Sequence, residues 1–245
     1  MSIENYIERR LSKRKHLLFT LLDAEEPVNL EEKIKKIERC DVDALLVGGS
    51  TIADQIMLDQ TIQQIKKITT IPVILFPGNI TGISQKADAI LFSSLLNSDD
   101  PYFIIGIQAL AAPIIRKFNL EAIPMGYIII GEGQAAGFVG RARSFPQDKP
   151  ELVASYALAA HYLGMRYVYL EAGSGAKEPV SPRIVKYVRK IYPGKLMVGG
   201  GIKSRKIAAK LISEGADILV IGNLVYEQNF DITLKNISEE IHIDV

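Results

Sequence analysis

Eight short runs dense in isoleucine, valine, leucine and phenylalanine recur along the chain, separated by longer segments of helical period. That alternation is the pattern of a parallel sheet with helical crossovers, and 245 residues is close to the roughly 250 of one (β/α)8 barrel. The runs are apolar almost throughout, as strands buried on both faces require. Strands are therefore expected over Leu17 to Leu22, Ala44 to Val47, Val73 to Phe76, Ala89 to Phe92, Ala122 to Ile130, Tyr167 to Leu170, Met197 to Val198 and Ile218 to Ile221. Helices are expected over Ile3 to Ser12, Leu30 to Arg39, Ala53 to Ile68, Tyr102 to Lys117, Glu151 to Leu163, Pro182 to Ile191, Arg205 to Glu214 and Leu224 to Phe230. Pro182 after Ser181, and Ser204 before Arg205, are helix-start signals. The fold class is α/β: a modified TIM (β/α)8 barrel forming one domain over residues 1–245, with an N-terminal helix.

Two links break the rhythm. Pro77 to Asp88 carries two glycines and a proline and is too short for a full crossover, so the third helix is expected to be reduced or replaced. Gly131 to Pro146 is too rich in glycine for a stable helix, and a long loop at that end of a barrel serves as a lid or binding wall.

Composition excludes several classes. With 29 basic and 28 acidic residues the net charge is +1, so there is no basic field for a nucleic acid backbone. The single cysteine, Cys40, excludes an internal disulfide and a cysteine-rich zinc cluster, in keeping with a reducing cytoplasm. No apolar run approaches the roughly 18 residues of a membrane span, and the N-terminus lacks a basic-then-apolar signal pattern.

In such barrels the chemistry sits where strands end. The last three strands end in Tyr169-Leu170-Glu171-Ala172-Gly173-Ser174-Gly175, Val-Gly199-Gly200-Gly201-Ile and Ile-Gly222-Asn223. Bare main-chain N–H groups there suit a phosphate ester, with Ser174 and Asn223 adding side-chain contacts and no lysine or arginine needed. A purely conformational alternative is that strand-to-helix turns need positive φ. Asp23 follows the first strand and suits a hard cation such as Mg2+, with Ser50 or Thr51 as a further ligand; its alternative is a loop cap. Alternation puts Tyr167, Tyr169 and Glu171 on one side, making Glu171 either a general base or a rim salt bridge.

No lysine ends a strand, since Lys195 precedes its own and belongs to the far face, so a Schiff-base nucleophile is lacking. His16, His161 and His242 are scattered, which disfavours a histidine metal site or a nucleophilic triad. Phe92, Leu95, Leu96, Tyr127 to Ile130, Phe138 and Val139 either pack as core or together form an apolar groove leading from the phosphate corner.

Leu-Leu-Asp23, Val-Gly-Gly-Ser50, Tyr169 to Gly175, Val-Gly-Gly-Gly201-Ile and Ile-Gly222-Asn223, in that order, give the chain a specific resemblance to the geranylgeranylglyceryl phosphate synthase family. Its relatives include the bacterial heptaprenylglyceryl phosphate synthases. The resemblance runs through nearly the whole chain and is to the larger group within the family, which assembles as dimers or hexamers. It implies Mg2+ at Asp23 and Ser50. It implies sn-glycerol 1-phosphate at Tyr169, Leu170, Glu171, Ala172, Gly173, Ser174, Gly175, Gly200, Gly201, Gly222 and Asn223. Glu171 would be the base, Tyr127 an aromatic gate beside the prenyl channel, and the third helix an extended segment. One departure stands out: many relatives continue Asp-Pro-Asp-Lys where this chain reads Asp23-Ala-Glu25-Glu26.

The implied activity is Mg2+-dependent transfer of a geranylgeranyl group from its diphosphate to sn-glycerol 1-phosphate, forming an archaeal lipid ether and releasing pyrophosphate. Helical prenyl synthases use aspartate-rich motifs, whereas this chain has only Asp99-Asp100 before Pro101. Two other classes fit the bare residues: a phosphosugar isomerase or cyclase, and a non-catalytic barrel that binds phosphorylated metabolites.

Overall fold

The computed structural model describes residues 1–24, 29–49 and 54–242. Strands β1 (Leu17–Asp23), β2 (Ala44–Gly48), β3 (Val73–Leu75), β4 (Ala89–Leu95), β5 (Glu121–Ile129), β6 (Tyr167–Glu171), β7 (Lys195–Gly199) and β8 (Ile218–Ile221) pair in parallel in chain order. β1 also pairs with β8, Leu17 against Ile218, which closes the barrel. Among the described residues the helices are α1 (Ile3–Arg14), α2 (Leu30–Arg39), α3 (Gln55–Ile68), α4 (Ile107–Phe118), α5 (Gln134–Val139), α6 (Pro150–Tyr162), α7 (Pro182–Ile191), α8 (Arg205–Ser213) and α9 (Phe230–Ile241). As the short link implies, β3 and β4 are joined without a crossover helix: the link holds one 3-10 turn, Ile80–Gly82.

Strand alternation divides the apolar residues into two layers. Phe19, Leu46, Leu91, Met125, Tyr127, Tyr167, Tyr169 and Met197 fill the barrel, while Leu18, Val47, Val73, Ile128, Val168, Leu170 and Leu219 belong to the layer shared with the helices. The floor of the barrel is closed by α1, whose Ile7 joins the inner layer. Glu121, at the start of β5, holds that helix in place by accepting the N–H groups of Ile3 and Glu4 at 2.5 and 2.9 Å. Lys195 pairs with Glu8 of α1 at 3.0 Å, so it does lie at the end remote from the mouth.

The same floor holds a buried carboxylate. Asp43 is 0% exposed and accepts from Arg10 Nε at 2.7 Å and from the Leu18 N–H at 2.9 Å, with His242 Nε2 at 2.9 Å. Burial alone would raise its pKa, but the His242 and Leu18 hydrogen bonds and the nearby charges hold it below the ordinary carboxylate value. Asp43→Ala leaves these donors uncompensated and is expected to cost about 3 kcal/mol in a denaturant titration. Because the folded pKa is depressed, this stabilisation is full above about pH 4 and is lost as pH falls through the folded value. Wild-type melting temperature should therefore fall more steeply below pH 4 than that of Asp43→Asn.

Three segments depart from expectation. The Gly131 to Pro146 link contains the short helix α5, fixed by tertiary contacts more than by propensity. Asn97 bonds Ile129 N–H at 3.0 Å, Ile129 O at 2.9 Å and Arg143 O at 3.0 Å, while Ser98 Oγ donates to Gly140 O at 2.6 Å. After β8 there is only a 3-10 turn, Asn223–Tyr226, where a helix over Leu224 to Phe230 is expected; the helix begins instead at Phe230. Asn229 adopts a left-handed conformation that separates the two, and Phe230, Leu234, Ile237 and Ile241 then give α9 its buried stripe. The segment before α4 opens as a π-turn, Tyr102–Gly106, whose first N–H is taken by Asp100 Oδ1 at 2.9 Å.

Cys40 caps α2, buried, and burial pushes its thiol up to about 11, which makes it inert. His16 is buried with Nδ1 2.9 Å from Ala216 O, a structural placement. No helix among the described residues is long and apolar enough to cross a membrane.

Candidate active site

A small corner and a large cavity meet at the C-terminal ends of the strands. The corner, about 40 Å3, is lined by Tyr169, Glu171, Ser174, Gly175, Gly200, Gly201, Gly222 and Asn223 among others. Ser174 Oγ donates to Asn223 Oδ1, which ties the loop after β6 to the turn after β8. Gly200, at φ +82°, is where the backbone requires glycine for two reasons: the angle itself, and a Cβ that would lie 2.5 Å from Glu171 Oε1. At Gly200 the conformational explanation for glycine therefore holds.

Glu171 ends β6 with 5% of its surface exposed. Its Oε1 accepts the Gly173 N–H at 2.6 Å, and the carboxylate also accepts the Tyr169 hydroxyl. Burial raises its pKa; the Tyr169 and Gly173 hydrogen bonds pull the other way without cancelling the rise. No ion pair to Glu171 occurs among the described residues, so the carboxylate is not a rim salt bridge. A buried, raised-pKa carboxylate on a cavity wall is suited to take a proton.

Not every residue carried over from the family motif reaches this lining. The Leu170 side chain is wholly buried in the outer layer, and Ala172 packs there too. The Gly173 N–H is already committed to Glu171, so it is not among the amides offered to an anion. Lys203, exposed on the loop beyond the end of β7, also lines the corner, although the sequence reading asks for no lysine there. The signal was its position two residues beyond Gly201 in the same loop.

The large cavity, about 510 Å3, starts beside Ser174 and Asn223 and passes Glu171, Asp23 and Tyr127. It then enters an arm lined by Ile80, Ile83, Ile90, Phe92, Ile107, Ala111 and Ile115. That arm lies between the 3-10 turn replacing the third crossover helix and α4, and the cavity as a whole is in the size range of small-ligand sites. Phe92, Leu95, Tyr127 and Val139 line the cavity as the groove reading requires. Leu96, Ile128 and Ile130 instead pack outward, Ile129 fills the barrel, and Phe138 is 86% exposed. Ala135, Ala136 and Gly140 from the α5 loop form one wall.

Tyr127 stands at the junction of corner and arm. Its ring is 5.3 Å from both Phe76 and Tyr169, at centroid distances typical of paired aromatics. Burial pushes its hydroxyl pKa well above the ordinary value.

Asp23 also lies on the cavity wall, with its backbone N–H donated to Tyr226 Oη at 2.7 Å. A Cβ on Gly49 would sit 3.0 Å from Asp23 Oδ1, so the glycine leaves room for the carboxylate. Ser50, the second residue assigned to the metal, and Thr51 lie outside the described residues. Among the described residues no cluster of three or more His, Cys, Asp or Glu could hold a metal by itself. A single wall carboxylate fits Mg2+, a cation for which one carboxylate suffices when substrate phosphate oxygens and water would supply the remaining ligands. Asp99 and Asp100 are engaged elsewhere, with Arg143 at 3.7 Å and Arg141 at 3.3 Å. Tyr226, Gln108, Pro77 to Ile80 and Ile83 line the cavity and escape the sequence reading, because only tertiary placement brings them there.

A family model described as the PcrB family matches residues 9–241. Geranylgeranylglyceryl phosphate synthase of Nitrosopumilus maritimus is 53% identical over 226 residues, covering 91% of this chain and 90% of the relative. Among solved structures, wild-type GGGPS from Thermoplasma volcanium gives a TM-score of 0.95 at 38% identity, covering 100% of both chains. The (S)-3-O-geranylgeranylglyceryl phosphate synthase of Thermoplasma acidophilum, in complex with its substrate sn-glycerol-1-phosphate, gives 0.93 at 36% identity over 99% of both.

Proposed function

The chain belongs to the PcrB family, and from that premise we propose that it transfers a geranylgeranyl group from geranylgeranyl diphosphate to sn-glycerol 1-phosphate. The observation that carries this reading is that an anion-sized corner and a large cavity with an apolar arm share the buried carboxylate Glu171, with Ser174, Gly222 and Asn223, in their linings. The corner, with Gly200, Gly201, Gly222, Ser174 and Asn223, would hold the glycerol phosphate. The arm would take the isoprenoid, each buried CH2 contributing about 0.8 kcal/mol. A phosphosugar isomerase would have no use for that arm, and a passive binder none for a buried, raised-pKa carboxylate.

In the reaction the bond between the allylic carbon and the diphosphate oxygen breaks, and that carbon bonds to the glycerol hydroxyl oxygen. The hydroxyl proton passes to Glu171, and pyrophosphate leaves with the bonding electron pair. Asp23 would hold Mg2+, whose chemistry there is to neutralise the negative charge growing on the diphosphate. Tyr127 and Phe76 would flank the reacting carbon and keep water from it.

We further propose a dimer or hexamer in the cytoplasm; the exposed side chains of Ile105, Leu110 and Phe138 support self-association.

The test is incubation with labelled sn-glycerol 1-phosphate, Mg2+ and prenyl diphosphates of graded length, followed by organic extraction. Label in the organic phase supports the reading, and retention of all label in water with every donor refutes it. Filling the arm by Ala111→Phe should lower kcat/KM for the twenty-carbon donor about 10-fold and leave a five-carbon donor nearly unaffected. Equal losses for both donors would mean that the tail lies elsewhere.

A further inference from the structure

The charged residues among the described lining of the large cavity are Asp23 and Glu171, both negative, although the reading above brings a diphosphate to this wall. An uncompensated polyanion there would be repelled, so one cation besides the metal is needed close by.

One such cation is held in place by Tyr226. The Lys33 ammonium, from the first turn of α2, lies 3.9 Å from the centroid of the Tyr226 ring, a close cation–π contact. The hydroxyl of that ring receives the Asp23 N–H at 2.7 Å, and Tyr226 itself lines the cavity. Tyr226 also closes the 3-10 turn that begins with Asn223 of the anion corner. One side chain therefore connects three things: the corner turn, the end of β1 that carries Asp23, and a lysine whose charge is opposite in sign to the expected leaving group.

We infer that Lys33 is a diphosphate-binding residue and Tyr226 its positioning residue, together forming a clamp on the leaving-group side of the cavity. The inference rests on the prenyl-transfer reading for the identity of the diphosphate, and on this chain's own contacts for the clamp. Lys33 would contribute charge to the diphosphate both before and after bond scission. Tyr226 would fix the ammonium and the Asp23 backbone relative to the glycerol phosphate.

Inorganic pyrophosphate with Mg2+, titrated into the full chain by calorimetry, tests the clamp without turnover, and sn-glycerol 1-phosphate serves as the control for the corner. Lys33→Met should weaken pyrophosphate about 10-fold, the size of one charge-assisted contact, and change sn-glycerol 1-phosphate by less than about 2-fold. Lys33→Arg should restore most of the affinity, and Tyr226→Phe should give a smaller loss than Lys33→Met. In kinetics the same variants should raise KM for the prenyl diphosphate and leave KM for the acceptor in place. No pyrophosphate binding by the wild type, pyrophosphate affinity unchanged in Lys33→Met, or equal losses for both ligands would overturn the clamp. Lys33-dependent pyrophosphate binding with no ether product from the wild type would refute prenyl transfer and leave the clamp standing. Ether formation with Lys33-independent binding would refute the clamp alone.

Discussion

Glu171→Gln is expected to lower kcat by about 10²-fold or more while KM for sn-glycerol 1-phosphate stays near the wild-type value. The substitution keeps the volume of the side chain at the end of β6, and an amide oxygen can still accept the Gly173 N–H that Oε1 now accepts at 2.6 Å. What disappears is the carboxylate proposed to take the proton of the attacking hydroxyl. Burial raises the carboxyl pKa and the Tyr169 and Gly173 hydrogen bonds partly restrain it, so the acid limb of the wild-type rate profile should lie above the ordinary carboxylate range. Tyr169→Phe removes a bond that favours the ionised form, and the limb should then move to still higher pH. Stability gives an independent reading with the opposite bias. A folded-state pKa above the unfolded value means that the folded chain binds its proton more tightly, so the contribution of Glu171 to stability falls as pH rises. The melting temperature of the glutamine variant should consequently gain on the wild type between pH 4 and 8. Wild-type turnover in that variant would remove Glu171 from the chemistry.

The barrel is readable from the sequence because its strands are buried from both sides, and nearly continuous apolar runs such as Leu17 to Leu22 and Ile218 to Ile221 have few other uses. Glu171 is readable for a related reason. Once Tyr167 and Tyr169 are assigned to the interior, period two carries the next inward position to the mouth. The missing crossover between Phe76 and Ala89 follows from length alone, but its consequence, an apolar arm bounded by Ile83 and by Ala111 of α4, does not. That arm depends on which helix faces the gap. The glycine-rich loop shows the limit of propensity: α5 forms because Asn97 and Ser98, both remote in sequence, fix the loop around it. Tyr226 and Lys33 are not readable for the same reason, since 193 positions separate the ring from the ammonium above it. Ser50 has the right motif but lies outside the described residues, which leaves Asp23 to bear the metal argument.

Asp23→Asn should reduce turnover by about 10²-fold or more, the scale of losing one preorganised electrostatic contact in a low-dielectric site. Asparagine preserves the backbone N–H that Tyr226 Oη accepts at 2.7 Å and fits the space left by Gly49, so barrel closure and clamp geometry should survive. Only the negative charge is lost. A divalent cation that depends on this single carboxylate, with its other oxygens drawn from diphosphate and water, would then bind mainly through the substrate. The half-saturating Mg2+ concentration should rise about 10-fold, and calorimetric binding of Mg2+ in the presence of pyrophosphate should weaken by a similar factor. Lys33→Met should do the reverse, weakening pyrophosphate at saturating Mg2+ without moving the metal requirement by as much. The two variants therefore separate the cation's contribution from the lysine's. A metal titration in Asp23→Asn that overlays the wild type would place the cation away from β1, and Asp23 would then revert to the loop-capping role that its position after the first strand also permits.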